Sequence, residues 1–266
     1  MEKGMSLIDT HVHLDQFPEE EVPEIMVRAR QAGVNHVVAV ASGADSCLRL
    51  LEWKRRFPDW LTIAFGVHPE RETDEAEVDT VVGLIRQHRE EIGAIGEVGL
   101  PYYTLAESRQ KQSPSPHAVA RLSRFLSLAA ELDLPVVLHA VHETAEPVRL
   151  LLRRYGVKQA VFHWLKAPAD VLQHIVDDGY LISVTPDMLH RERDRELARQ
   201  VPLSQLLLET DAPWEYGGKR AEPAWVKLVA EEVARVKGVT VRQVCRQTTD
   251  NARRLFSNDG SMATGW

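Results

Sequence analysis

Ile8-Asp9-Thr10-His11-Val12-His13-Leu14-Asp15 follows a short apolar run and reads as the end of a β-strand. Alternate residues of a strand share a face, so His11 and His13 can aim both imidazoles at one point. Neutral imidazole is the commonest metal ligand, and zinc-like ions take histidine nitrogen together with carboxylate oxygen. A lone His-x-His also describes a solvated strand end. The residues downstream decide between the two.

Working outward, the chain repeats strand then helix. Apolar runs at 6–13, 36–41, 61–68, 94–100, 135–140, 159–164, 180–185 and 206–211 read as strands. Most are continuous rather than alternating, as expected of parallel strands covered on both faces. Amphipathic segments of helical length lie between them, at 19–32, 44–57, 74–91, 119–132, 145–155, 168–178, 191–200 and 223–236, and a last helix spans 241–256. Eight such units predict an α/β fold, a (β/α)8 TIM barrel in one domain over 1–257, with a short flexible tail over 258–266. The main competitor, a doubly wound open sheet, usually has a Gly-rich turn after its first strand, and here that turn is His-Leu-Asp-Gln-Phe-Pro.

The composition narrows the function. A formal charge of −7 offers no basic field for holding duplex nucleic acid, so any such affinity must be local. Only two cysteines, Cys47 and Cys245, stand far apart outside any Cys-x-x-Cys pattern. They argue against a disulfide scaffold or thiolate zinc site and fit a reducing compartment. No apolar run is long enough to span a bilayer, and the first residues lack a signal-peptide core. The expectation is a cytoplasmic protein with no membrane partner and no evident stable protein partner.

In a βα barrel, catalytic groups gather at the C-terminal strand ends. Here those ends carry His11 and His13, His68, Glu97, His139, His163, and Glu209 with Asp211. An ionisable group inside an apolar strand is costly unless paired or metal-bound, and chance would scatter such groups between both ends. His36 instead begins a strand, and His88, His117, His174 and His190 lie in or beside helices, where capping or surface roles are expected. Four imidazoles (His11, His13, His139, His163) and two carboxylates (Glu97, Asp211) exceed one tetrahedral ion and suit two. Two divalent ions about 3.5–4 Å apart can hold a hydroxide between them, and a carboxylate such as Glu97 has two oxygens with which to bridge them.

These segments, with Gly66-Val67-His68-Pro69, Ile95-Gly96-Glu97-Val98-Gly99-Leu100, Leu208-Glu209-Thr210-Asp211-Ala212-Pro213 and the Asn251–Phe256 ending, resemble the TatD family of metal-dependent hydrolases and deoxyribonucleases within the amidohydrolase-like barrels. The resemblance spans nearly the whole chain. It implies that His11, His13 and Asp211 hold one ion, that His139 and His163 hold the second, and that Glu97 bridges them. His68 would contact substrate, and the ions would be Mg²⁺, Mn²⁺ or Zn²⁺. It also implies deoxyribonuclease action, often 3′→5′ exonucleolytic, and the acidic charge makes a single-stranded DNA end or another phosphodiester the expected substrate. A metal-bridging hydroxide would attack phosphorus, with Asp211 orienting the water or taking its proton.

The chain departs from the family pattern at three places. Pro101 follows Gly-x-Gly-Leu where the family often has Asp. Ala140-Val141-His142 replaces a Ser-Arg-Asp or Ser-Arg-Glu run, and Trp164-Leu165-Lys166 replaces a Cys/Phe-Ser/Thr-Gly run. Lys166 and His142 are the expected substitutes for the missing arginine as substrate contacts. Glu209 is expected to orient a metal-bound histidine from behind. Tyr102, Tyr103, Trp164, Trp214 and Tyr216 are candidates for stacking on bases. The Gly-rich stretch 215–220 is a candidate lid. The ligand set alone also fits amidases, lactonases or deacylases that cleave a C–N or C–O bond of a small molecule or an aminoacyl ester, because the same hydroxide attacks a carbonyl.

Overall fold

The computed structural model describes residues 6–104 and 114–256; the tail expected over 258–266 lies outside them. Strands β1 (Leu7–Val12), β2 (Val34–Val40), β3 (Leu61–Phe65), β4 (Ala94–Gly99), β5 (Val136–His139), β6 (Ala160–His163), β7 (Leu181–Val184) and β8 (Leu206–Leu208) form one eight-stranded sheet with neighbours in chain order. Nearly every strand residue is buried, which explains the continuous apolar runs. The chain beyond β8 returns to β1 through a parallel Val12–Ala212 bridge, with Asp211 N–H donating to His11 O (3.0 Å) and His13 N–H to Ala212 O (2.8 Å). This is the connectivity of a (β/α)8 barrel.

The helices are α1 (Val22–Gln31), α2 (Ala44–Arg56), α3 (Glu75–Gln87), α4 (Pro116–Leu132), α5 (Ala145–Tyr155), α6 (Ala169–Asp177), α7 (Glu192–Gln200), α8 (Val226–Lys237) and α9 (Val241–Phe256). Helix α4 starts three residues before the expected position. Ser115 caps it by accepting Ala118 N–H (3.1 Å), and Pro116 supplies a pre-set first turn. Cys47 and Cys245 are buried free thiols on α2 and α9.

The chain divides into two compact units. The first comprises Met1–Ala39, Glu52–Thr62 and Ile182–Trp266. Its α9 buries Val244, Cys245, Thr248, Ala252, Leu255 and Phe256 along one face. From that face Asn251, fully buried, donates to Leu203 O (2.8 Å) and Leu206 O (2.9 Å), and Thr249 donates to Ser6 O (2.8 Å). Helix α9 thereby fixes where β1 and β8 begin, and those are the strands that lead to His11 and Asp211. His36 packs against Thr62 (Nε2 to Oγ1, 2.8 Å), and burial pushes its ring well below the ordinary histidine range. It is a neutral structural residue, as its place at a strand start suggested.

The second unit comprises Val40–Leu51 and Ile63–Leu181. Its strands β4, β5 and β6 approach closely, and glycine is what permits this. A Cβ on Gly99 would stand 1.9 Å from His139 O, and one on Gly96 would stand 2.6 Å from Val137 Cβ. In contrast, a Cβ on Gly83, inside α3, would meet nothing within 4 Å. Gly99→Ala is therefore expected to destabilise the protein by about 1–3 kcal/mol or more through overpacking. Gly83→Ala is expected to stabilise it by roughly 0.4–1 kcal/mol through helix propensity and unfolded-state entropy. Denaturant titration of both variants checks the pair, and equal effects would remove close packing as the reason for Gly99.

Candidate active site

In the first unit, β1 ends in His11 and His13, and residue 211 lies three beyond β8. The turn from Glu209 to Ala212 is held from several sides. Asp9 accepts from Thr210 Oγ1 (2.5 Å) and Thr210 N–H (3.0 Å), Tyr216 OH donates to Thr210 O (2.9 Å), and Ala212 N–H donates to Thr210 Oγ1 (3.2 Å). These bonds hold Asp211 at φ +51°, a region unfavourable for any residue bearing a Cβ. So fixed, Asp211 Oδ1 lies 3.6 Å from His11 Nε2 and 3.5 Å from His13 Nε2. Donors around a tetrahedral ion at about 2.0–2.1 Å stand roughly 3.3–3.4 Å apart. The three side chains are thus too far apart for good hydrogen bonds and near the right spacing to share a cation.

In the second unit, the parallel register aligns Gly99 with His139 and His139 with His163, so the strand ends set their side chains in a row. Glu97 is fully buried beside them. Three ring nitrogens converge on its Oε1: His139 Nδ1 at 2.8 Å, His163 Nε2 at 3.1 Å and His68 Nε2 at 3.4 Å. Ligand atoms of His68, Glu97 and His139 all lie within 4.8 Å of one another, as do those of His11, His13 and Asp211. One carboxylate oxygen ringed by imidazoles is a donor set suited to a divalent cation. Glu70 N–H donates to His68 Nδ1 (3.2 Å), which leaves the His68 proton on Nε2, facing Glu97.

Two acidic residues that the motif reading passed over matter here. Glu70 Oε1 lies 3.4 Å from His139 Nε2, on the far side of the ring from Glu97. Burial pushes the Glu70 carboxyl up, but His139 and the donors of Tyr102 and Thr104 outweigh it and hold it well below the carboxylate range. Burial pushes the His139 ring down, and Glu70 and Glu97 more than offset this, so the ring is raised. A carboxylate behind a candidate ligand histidine is the usual way to set its tautomer and orientation. Arg121, buried on α4, steadies this segment by donating to Pro69 O (3.2 Å). Asp9 is the other omission. Burial raises its carboxyl well above the usual range, against the bonds from Thr210 and His11. The available signals were an acid two residues past His68 and another two before His11.

The remaining expectations divide. Lys166 and His142 lie together near the strand ends, with His142 N–H donating to Lys166 O. Glu209 is fully buried. Tyr216 is not at an open mouth; its ring is buried and its hydroxyl holds the turn before Asp211. Trp214 is exposed. The 215–220 stretch is a tied hairpin, β9 (Glu215–Tyr216) with β10 (Lys219–Arg220), anchored by Arg220 to Glu21 and over the Phe17 ring.

Glu70→Gln retains the side chain's shape but removes its charge. The change is expected to weaken divalent-ion binding by about tenfold or more, the usual cost of losing a ligand's outer partner. Calorimetric ion titration reads this directly, and unchanged affinity would restrict Glu70 to shaping its loop.

Residues 8–257 match the family described as TatD related DNase. A protein of Haemophilus influenzae named "Uncharacterized metal-dependent hydrolase" is 32% identical over 94% of this chain and 99% of its own length. The human "Deoxyribonuclease TATDN3" is 29% identical, covering 95% of each chain. The crystal structure of the TatD homologue YJJV from Escherichia coli superposes with a TM-score of 0.83 at 24% identity, over 95% of this chain and 98% of that one. With that fold, these two groups of histidines and carboxylates and a match over nearly its whole length, the chain belongs to the TatD-related DNase family and is a metal-dependent hydrolase.

Proposed function

We propose that this hydrolase is a deoxyribonuclease acting 3′→5′ on single-stranded ends, with its catalytic domain at 1–257, and that it works in the cytoplasm. The observation that carries the reading is the approach of two ring nitrogens, His139 Nδ1 (2.8 Å) and His163 Nε2 (3.1 Å), to one buried oxygen of Glu97. A fully buried carboxylate in such company suits a divalent cation better than hydrogen bonds alone.

In this reading His11, His13 and Asp211 hold one ion, and Glu97, His139 and His163 hold another, of Mg²⁺, Mn²⁺ or Zn²⁺. The ions supply Lewis acidity toward the phosphoryl oxygens and make the attacking water more acidic. The chain's own residues do the rest. Asp211 orients the water and accepts its proton at a carboxylate oxygen. His68 turns its Nε2–H toward the reacting group and stabilises charge that develops on a non-bridging oxygen. Lys166 and His142 contact the substrate, and Glu209 steadies the histidine pair from behind. An acidic chain with locally placed cations favours a strand end over a duplex interior. The human relative's name, deoxyribonuclease, points the same way. Two buried free thiols, Cys47 and Cys245, fit a reducing compartment.

A second reading, hydrolysis of an amide, lactone or acyl ester, draws on one observation. Position 141, where the resemblance leads one to expect arginine, is a fully packed valine. Without that guanidinium a phosphate has one fewer partner, and a carbonyl substrate needs none.

The test strips the protein of metal and refills it separately with Mg²⁺, Mn²⁺ or Zn²⁺. Each form is incubated with 3′-labelled and 5′-labelled single-stranded DNA beside Glu97→Ala. Shortening from the 3′ end that needs metal, and falls by at least about 100-fold in Glu97→Ala, is the expected result. Stoichiometric ion binding with no cleavage of DNA by any form would reject the nuclease and favour the carbonyl substrate.

A further inference from the structure

Glu70 stands between two parts of the second unit. On one side its Oε1 lies 3.4 Å from His139 Nε2, and the other nitrogen of that ring, Nδ1, lies 2.8 Å from Glu97 Oε1. On the other side Glu70 holds the turn that follows β4. Its Oε1 accepts the backbone N–H of Tyr102 (2.6 Å) and Tyr103 (2.9 Å), and its Oε2 accepts that of Thr104 (2.9 Å) together with the Thr104 hydroxyl (2.7 Å). Three successive amides therefore end on one carboxylate.

The two sides are not equally tight. The four bonds to the turn run from 2.6 to 2.9 Å, as charge-assisted hydrogen bonds do, whereas the ring contact is 3.4 Å long. The backbone around Glu70 has little freedom to take up that slack. Glu70 N–H donates to His68 Nδ1 (3.2 Å), Arg121 donates to Pro69 O (3.2 Å), and Arg71 N–H donates to His68 O (3.2 Å). Arg71 pairs with Glu77 (2.9 Å) and donates to Ser42 O (2.8 Å), the carbonyl that also receives His68 N–H (3.1 Å). The 68–71 loop is pinned at both ends, so a pull on the Glu70 carboxylate passes to the turn and not into its own loop.

Elementary chemistry fixes the sign of that pull. A histidine that ligates an ion through one ring nitrogen donates from the other to an outer carboxylate, and the ion's charge makes that N–H a stronger donor. Imidazole is rigid and planar, so a cation beside Glu97 acts on Glu70 across the ring. The ring contact tightens, the carboxylate is held, and the amides that it accepts are held with it. Linkage requires the reverse by the same factor: whatever fixes Glu70 from the turn side raises the affinity for the cation. Thr104 is the side chain that does so. It is exposed, and its hydroxyl and amide both occupy Oε2, which keeps Oε1 toward the ring.

We propose that Glu70 couples the ion group at Glu97 to the Tyr102–Thr104 turn, so that a bound divalent cation orders the turn and Thr104 is a positioning residue for the cation. The proposal rests on the reading of Glu97, His139 and His163 as ion ligands, and not on the choice between a phosphodiester and a carbonyl substrate. Its consequence is that the turn after β4 and the ion site are completed together, so the supply of the cation also governs the order of the neighbouring loop.

The experiment uses full-length protein, stripped of metal or loaded with Zn²⁺. Hydrogen exchange of the Tyr102, Tyr103 and Thr104 amides is followed by NMR, and Zn²⁺ affinity by calorimetry. Zn²⁺ is expected to slow exchange of the three amides by about 2- to 30-fold, the range for elements that act on a ligand through an intermediary. The Thr240 amide, which donates to Gln243 in the first unit, is the reference and is expected to change by less than about twofold. Thr104→Val, which removes the hydroxyl and keeps the shape, is expected to weaken Zn²⁺ by a factor in the same range of about 2- to 30-fold. In Glu70→Gln the three amides are expected to respond to Zn²⁺ by less than about twofold, and adding Thr104→Val there to change Zn²⁺ affinity by less than about twofold, because the path runs through the missing charge. A Thr104→Val protein that melts at a lower temperature but binds Zn²⁺ as the wild type does would overturn the proposal and leave Thr104 a structural cap. Zn²⁺ binding with no change in the three amides would overturn the coupling and leave the ion ligands standing. Failure of the wild type to bind Zn²⁺ would overturn both. Coupled exchange and affinity in a protein that cleaves no DNA would uphold the coupling and reject only the nuclease reading.

Discussion

A carboxylate with no exposure to solvent, set in the middle of an apolar β-strand, is the constraint that the second unit is built around. Glu97 is that residue. Burial of an isolated carboxylate is prohibitive, so the surrounding strands must answer it with donors. They do so through register. Parallel pairing places His139 beside Gly99 and His163 beside His139, and the backbone at Gly99 is bare because the neighbouring carbonyl leaves no room for a Cβ. The apolar exterior of these strands, the glycines between them and the histidines at their ends are one arrangement. Each part is needed for three imidazoles to reach one oxygen.

The first unit solves a similar problem with backbone strain instead of strand register. Asp211 lies past the end of β8, in a left-handed conformation held by Asp9, Thr210 and Tyr216. Among the described residues, those other than glycine at positive φ are the helix-capping Asp133 and Asp211, His142 and Trp164, and the last three follow strands whose ends carry candidate ligands. Strain of this sort persists only where surrounding bonds over-determine it. Around Asp211 those bonds are numerous and buried. Around His142 and Trp164 they run through the loop backbone.

Glu70 links two levels of the architecture. One carboxylate fixes the turn that presents Tyr103 and also stands behind His139. Charge placement in this chain is therefore local. The net charge is negative, while Lys166, near the ends of β5 and β6, lies over the Trp164 ring and donates to the Tyr103 hydroxyl.

The barrel connectivity was legible in the sequence because continuous apolar runs and amphipathic segments alternate eight times, and burial on both faces of a parallel strand leaves no other pattern. The histidines and carboxylates at strand ends were legible for a related reason: charged residues inside apolar runs have to be explained by function or pairing. Glu70 and Asp9 were not, since an acid in a loop or beside a motif looks like any solvated acid until the fold brings donors around it. Tyr216, one of five candidate stacking rings, proves to be buried, and a two-residue hairpin strand leaves no periodicity from which to tell its inner face. The start of α4 was placed late because its Ser-Pro cap precedes the apolar stripe. By itself, then, the sequence determined the strand order, the helices and the identity of the candidate ligands, all of which follow from local pattern and the cost of burying charge. Only the tertiary structure decided the tautomer-setting contacts, the strained turns and the Tyr103–Lys166–Trp164 cluster, because these depend on distances between residues far apart in the chain, which no local pattern encodes.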